Sequence, residues 1–366
     1  MMEPASTAKK TSLLLLLAAF IAAFSLLVSA GLSAGSNARA LTYKPPHGKI
    51  YFGATDTGEA SDFRTFGQDV GKHPSVIQTF HPWGNSLHQA MPRWKSVRAR
   101  PMLHITTAAD DGTELITPRG IALGRGDDYL LRLNSALDRK RIITYIRPLG
   151  EPNRCLNPYA VVDCSGYSRG NSYSHRWYKS AFRRIAIIVR GGGKRGSINR
   201  ELDDIGLPKI QKLHKKKDLP RRLPTAPVAM VWSPLPDGSP NVNDNEPRYF
   251  WPGKEWVDWV GTDFYSRYGS WRALKKFYST FAKGKHKPFA LTEWGLWGSD
   301  KPKFVKKVFK FMRHRDNADM LIYYQDFGSS NEFRIQNFPH SEKVLKKKVG
   351  SNVFPKFAER YPRFHR

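Results

Sequence analysis

Residues 142–153 read IITYIRPLGEPN. The stretch opens on a short apolar, β-branched run, Ile142-Ile143-Thr144-Tyr145-Ile146, which is the composition of a buried strand. Arg147 and Pro148 break the pattern, and Pro148 and Pro152 predict that the strand has ended. A lone carboxylate, Glu151, follows. A strand that stops and at once presents Arg147, Glu151 and Asn153 has the design of the C-terminal end of a parallel barrel. There the chemistry sits on the loops just past the strand tips.

Residues 288–294, PFALTEW, repeat that design: a short apolar run, then Glu293, Trp294 and Gly295. Two strand tips, each with one glutamate and about 140 residues apart, point to glycoside hydrolysis by a pair of carboxyl groups. A single strand-end glutamate reads first as a solvated or salt-bridged residue. The pair carries the reading.

The chain has 366 residues, 40% of them hydrophobic and 13% aromatic. That supports a sizeable core with aromatic side chains to spare for a cleft. Residues 1–40 read as a targeting segment: Lys9 and Lys10 precede an apolar run over 13–30, and Ala38-Arg39-Ala40 fits a small-x-small cleavage site. The run also reaches membrane-spanning length. A cleaved signal peptide and an uncleaved anchor are both open, and either one exports residues 41–366, so a secreted or membrane-anchored protein is expected. The only two cysteines, Cys155 and Cys164, lie in one loop directly after Glu151. In an oxidising compartment they pair; the alternative is two free thiols. Their spacing, with no paired histidines nearby, is wrong for zinc. Neither a metal nor a cofactor is expected.

The formal charge is +29, and +27 once residues 1–40 with Lys9, Lys10, Arg39 and Glu3 are set aside. A field this strong selects partners rather than a fold. Nucleic acid, anionic polysaccharide, a cell-wall polymer and a membrane surface all fit; so do basic residues spread over solvated helix faces with no partner. Lys212, Lys215, Lys216 and Lys217 fall in the most polar stretch, 194–224, which reads as an insertion or solvated loop. No aromatic residue is interleaved there for base stacking, which argues against nucleic acid.

Taken in order, apolar strands are predicted at 50–54, 76–80, 100–105, 142–146, 227–232, 256–264, 288–294 and 320–325. Helices are predicted between them, at 62–70, at 127–138, from a Ser174 cap to Arg190, after a Ser270 cap, and at 303–312, with a last one near Val344. Eight strands alternating with helical segments over about 320 residues predict an α/β fold, a single (β/α)8 TIM barrel.

Four stretches resemble the family 26 glycoside hydrolases, a β-mannanase-type family in a retaining clan of barrel glycosidases. RPLGEPN at 147–153 resembles the fourth-strand motif, and LTEWG at 291–295 the nucleophile motif of the seventh. YFWPGKEWVDWVGTDFY at 249–265 resembles the approach to the sixth strand, and IYFGATDTG at 50–58 the first. The resemblance implies Glu151 as general acid/base, Glu293 as nucleophile, and Tyr265 as a residue that orients the nucleophile. Arg147 would support the carboxylates by its charge. Two departures stand out. Mannanases of the family usually carry His before the acid/base, and much of the clan Asn, where this chain has Gly150. The eighth strand ends Tyr323-Tyr324-Gln325-Asp326-Phe327, without a Trp platform.

Trp83, Trp232, Trp294 and Trp297 lie near strand ends and are candidates to stack on sugar rings, with ordinary core or rim packing as the alternative. His81 and His104 read either as polar site residues or as satisfied core histidines. The expectation is a secreted retaining glycosidase acting on a β-linked polysaccharide, either mannan-type or an exopolysaccharide. The alternatives are a glycan- or wall-binding barrel with weak or no turnover, and a basic binder of anionic polymers.

Overall fold

The computed structural model describes residues 42–211, 219–325 and 332–362. The expected targeting segment, Lys212, Lys215, Lys216 and Lys217, and Asp326 and Phe327 lie outside the described residues. Eight parallel strands close into one barrel: β1 Tyr51–Thr55, β2 Val76–Pro82, β3 Arg100–Thr106, β4 Thr144–Pro148, β5 Val228–Trp232, β6 Trp259–Tyr265, β7 Phe289–Gly295 and β8 Ala318–Tyr323. Each strand pairs with its neighbours in sequence, and β8 closes the ring on β1. Around them lie α1 Ala60–Asp69, α2 Ala90–Ser96, α3 Pro118–Ala122, α4 Asp127–Lys140, α5 His175–Arg190, α6 Arg195–Asp204, α7 Trp271–Phe277, α8 Pro302–Arg313 and α9 Pro339–Val349. The fold is the (β/α)8 barrel that the strand pattern predicts.

Both faces of the strands are buried along nearly all of their length, with half-buried residues only toward the C-terminal tips, so the strands carry no strict apolar–polar alternation. Two clusters divide them. Tyr51, Val76, Met102, Tyr145, Ala229, Trp259, Ala290, Met320 and Ile322 fill the barrel itself. Phe52, Ile77, Leu103, Ile146, Met230, Val260, Leu291 and Leu321 pack outward on the helices. The opposite end from the strand tips is plugged by Arg100, which donates to the Tyr145 hydroxyl at 2.8 Å and the Tyr43 carbonyl at 2.6 Å.

Caps fall where the sequence places them. The Ser174 hydroxyl accepts from the Trp177 amide at 3.4 Å, and that of Ser270 from Ala273 at 3.2 Å. Asp127, at the start of α4, does more than face a helix dipole. It is fully buried and takes both arms of Arg184 from α5, at 2.7 and 2.5 Å, plus the Gln211 amide at 2.7 Å.

The structure corrects two expectations. The stretch 194–224 is not simply a loop: α6 buries Ile198 and Leu202, and Gly193–Lys194 pairs antiparallel with Arg222–Leu223. β4 does not end before Arg147 but runs through Pro148. Pro148 is tolerated because β4 pairs with β5 only over Thr144, Tyr145 and Ile146, so its missing N–H leaves no gap in that ladder. Arg147 is therefore a strand residue and shares the inward face of Tyr145.

Candidate active site

The centre of the barrel mouth is the Arg147 guanidinium. Having entered from β4, it reaches five other elements. Nη1 donates to Glu293 Oε1 on β7, and Nη2 to Asp263 Oδ2 on β6. Nε donates to Ser233 Oγ, just past β5, at 2.5 Å. Nη1 also lies 3.4 Å from Gln78 Oε1 on β2 and 3.3 Å from His104 Nδ1 on β3. Arginine has only donors, so His104 Nδ1 must accept and its proton sits on Nε2. Nε2 lies 3.5 Å from the Tyr159 hydroxyl, which itself donates to the Gly150 carbonyl at 2.6 Å. Burial and the Arg147 charge push His104 well below the usual histidine range. It is a neutral imidazole, and its 3.8 Å approach to Glu293 is not an ion pair.

Glu293 faces the mouth because β7 carries a bulge. Against β6 the pairing steps from Thr262↔Leu291 to Asp263↔Glu293, and against β8 from Leu321↔Leu291 to Tyr323↔Trp294. One extra residue, Thr292, is absorbed there. Strict alternation from the outward Leu291 would turn Glu293 outward as well; the bulge re-aims it into the barrel. Gly261 leaves room for this, since a Cβ there would meet Thr292 Cγ2 at 2.6 Å. Thr292 then donates to Asp263 Oδ1 at 2.7 Å.

Glu293 Oε2 accepts from the Tyr265 hydroxyl at 2.7 Å, and Oε1 also accepts from Gln78 Nε2 at 3.2 Å. Burial pushes the Glu293 carboxyl above the ordinary glutamate range; Arg147 pulls it back, and the charge of Glu151 pushes it up again. Asp263, sealed from water, is raised well above its ordinary value by burial, with Arg147 opposing. Tyr265 is raised well above its own by burial and then by the Glu293 charge, so it stays a donor.

Glu151 stands across the mouth at the β4 tip. Its amide donates to the Ser233 carbonyl at 2.8 Å, and its carbonyl accepts from Asn157 Nδ2 at 2.8 Å. Leu149 and Glu151 both adopt positive φ, 51° and 50°, an uncommon conformation for such residues that places them in a tightly determined turn. Between them Gly150 packs on the Arg147 guanidinium: a Cβ would lie 2.7 Å from Nε and 2.8 Å from Cζ. The Cys155–Cys164 disulfide closes the next loop. Asn153 ties that loop to the one after β5, accepting from the Leu235 amide at 2.8 Å and donating to the Leu235 carbonyl at 3.1 Å.

The structure gathers Arg147, Glu151, Tyr265 and Glu293 at one mouth. Trp297 stays at its rim, edge-on to Tyr265 with centroids 5.8 Å apart and beside Phe333 at 4.9 Å. Other residues named from the sequence lie elsewhere. Trp232 points outward from β5 and is fully buried against Trp251, Phe277 and Phe281. Trp294 is turned outward by the bulge onto Tyr323 and Phe309. Trp83 is buried over Gly126 and Tyr129. His81, on the outward face of β2, donates its Nε2–H to the Asn85 carbonyl at 2.9 Å. None of these four can stack on or bind a sugar in the mouth.

Sequence reasoning missed Gln78, Asp263, Ser233, Tyr159 and Arg154. Only Asp263 had a signal, the alternation of Trp259, Gly261, Asp263 and Tyr265 on one face of β6. Tyr324, Phe333 and Phe80 complete an aromatic rim, with Tyr324 6.1 Å from Phe80 and 5.0 Å from Phe333.

No protein-family model matches the chain, and no curated protein matches it. Solved structures do. A double mutant of the Cellulomonas fimi endo-β-1,4-mannanase is 15% identical over 89% of this chain and 76% of its own, with a TM-score of 0.60. GH26A from Muricauda sp. MAR_2010_75 is 15% identical over 88% and 96%, at 0.55. The catalytic domain of a Bacillus sp. JAMB-750 GH26 endo-β-1,4-mannanase is 14% identical over 86% and 89%, also at 0.55. At such identities the likeness is one of fold: this barrel has the fold of family 26 mannanase structures.

Proposed function

We propose that the chain is a retaining glycoside hydrolase that cleaves a β-linked polysaccharide, with Glu293 as nucleophile and Glu151 as general acid/base. One observation carries the reading. Carboxylates from the β4 and β7 tips flank one buried guanidinium: Arg147 donates to Glu293, and Gly150, next to Glu151, packs on Arg147. Glu293 is held by three donors, Arg147, Tyr265 and Gln78, which fix it for in-line attack on an anomeric carbon. The Glu151 carboxylate accepts one side-chain hydrogen bond among the described residues, from Arg154 to Oε2, which leaves Oε1 to exchange a proton with a leaving oxygen and then with water.

In the first step a Glu293 oxygen bonds to the anomeric carbon while the glycosidic C–O bond breaks and Glu151 passes its proton to the departing oxygen. In the second, Glu151 takes a proton from water as that water displaces Glu293. The names of the structural neighbours support a mannan-type polymer as the first to try. Gly150 in place of the family's His, and tyrosines in place of the Trp platform, favour a different polymer, such as an exopolysaccharide.

Export goes with this reading. The apolar run over 13–30 and a disulfide beside the site support a protein that works outside the cytoplasm. Release of reducing ends should be followed over a panel of β-mannan, β-glucan, xylan and acidic polysaccharides, with Glu293→Ala as blank. Activity lost in both Glu293→Ala and Glu151→Gln supports the assignment. Full activity in both variants overturns it.

A further inference from the structure

Arg154 is the polar residue at the mouth that two-glutamate hydrolysis does not need. It lies three residues past Glu151, and its Nη1 donates to Glu151 Oε2 at 3.0 Å. Among the described residues its side chain makes no other hydrogen bond, and it is 39% exposed. That hydrogen bond turns the guanidinium toward the mouth, where the charges of Glu151 and then Glu293 act on it. A cation with spare donors pairs more strongly with a carboxylate, through two parallel charge-assisted hydrogen bonds, than with the hydroxyls of a neutral sugar. It also occupies an oxygen of the proposed acid that has to work at the leaving group.

We propose that Arg154 is a specificity residue for a uronic acid in the leaving-group subsite, and that the sugar carboxylate takes Arg154 from Glu151 when substrate binds. This rests on the assignment of Glu151 above, because the acid/base stands beside the leaving group and so fixes which side Arg154 serves. The exchange is like for like. Arg154 now holds a carboxylate, and a guanidinium fork matches a second planar carboxylate with two parallel hydrogen bonds. Release leaves both oxygens of Glu151 free for the glycosidic oxygen. The formal charge of +29 favours encounter with a polyanion over a neutral polymer.

The test uses the Glu293→Ala protein, which binds without turnover, and titrates three ligands by calorimetry: a β-linked polyuronate, the same polymer with its carboxyl groups reduced to alcohols, and a sulfated neutral polymer. The readout is the ratio of affinities for the acidic and the reduced polymer. Added to that background, Arg154→Met should lower the ratio tenfold or more, and Arg154→Lys should restore part of it. Arg132→Met, which removes the same charge from the outer face of α4, should leave the ratio unchanged. Melting temperatures show that each variant is folded. An equal loss in Arg154→Met and Arg132→Met, or no loss in either, overturns the proposal. So does a sulfated polymer that binds as well as the polyuronate through Arg154. Turnover by the protein with Glu293 restored is measured alongside. Cleavage of neutral polymers with no Arg154-dependent ratio sinks this inference and leaves the hydrolase standing. An Arg154-dependent ratio with no cleavage of any polymer sinks the hydrolase instead.

Discussion

Gly150→Ala should damage activity far more than a methyl group normally does. The added Cβ would sit 2.7–2.8 Å from three atoms of the Arg147 guanidinium, where carbon and nitrogen ordinarily stay near 3.5 Å or beyond. About 0.7–1 Å of overlap must be relieved. The flexible end of an exposed arginine would yield at little cost. Arg147 is fully buried and clamped by Ser233, Asp263 and Glu293, so the guanidinium moves only by disturbing those contacts. Overpacking of this size costs about 1–3 kcal/mol, a loss of several degrees in Tm for a domain this large. The larger effect is on Glu293, the proposed nucleophile. A displacement of about 1 Å at a catalytic group costs on the order of 10²-fold in rate.

Initial rates on the best polymer of the panel and thermal melts would be measured together. Gly196→Ala serves as control, because nothing lies within 4 Å of its added Cβ. Gly150→His, which puts back the residue that the resemblance implies, should fare worse than Ala. If Gly150→Ala keeps more than half of the wild-type kcat/KM, the packing of Gly150 on Arg147 does not set the position of Glu293.

Tyr265→Phe removes a donor from the ionised form of Glu293, so the carboxyl rises further above its ordinary value. A nucleophile must be ionised, so the acidic limb of the kcat/KM profile should move to higher pH, with kcat down about 10²-fold. Glu293→Gln should stabilise the fold while abolishing turnover, because two buried carboxylates share one buried cation and the change leaves a one-to-one pair. The sign follows from burial, which raises the carboxyl. The folded state then holds a proton that the unfolded chain releases, and that stability is lost as pH rises through the raised value. The gain over wild type, about 1 kcal/mol, should therefore be largest at neutral and alkaline pH and vanish in acid, as melts across pH will show. Asp127→Ala leaves Arg184 buried without its partner and should cost about 3–5 kcal/mol in chemical denaturation, whereas Asp128→Ala, whose pair with Arg132 is exposed, should cost under about 1.

The barrel was legible because eight apolar runs, separated by capped helices, leave few other ways to bury them. Pairing order followed from sequence order. The site was half legible. Glu151 and Glu293 stood out as lone carboxylates after apolar runs, but the reason Glu293 points inward is a one-residue bulge that periodicity cannot show. The same bulge turns Trp294 away from the mouth. Strands buried on both faces carry no alternation, so nothing in residues 227–232 said that Trp232 faces the helices while Val231 faces the barrel. In sequence Pro148 reads as a strand end and leaves Arg147 in a loop; the short β4–β5 ladder that tolerates the proline is a tertiary fact. Arg154 and Asn153 follow Glu151 closely in sequence, yet their roles depend on which way a turn with two positive-φ residues folds back.

In the proposed mechanism Glu293 attacks a sugar whose leaving oxygen Glu151 protonates. The most direct test is to incubate the protein with the activated 2-deoxy-2-fluoro glycoside of the sugar that the panel identifies, and to map the trapped adduct by peptide mass spectrometry. One sugar per chain is expected on the peptide spanning 291–295, attached to Glu293, with Glu151→Ala rescued by azide to a product of retained configuration. An adduct on any other residue, or hydrolysis that inverts the anomeric centre without an adduct, would contradict it.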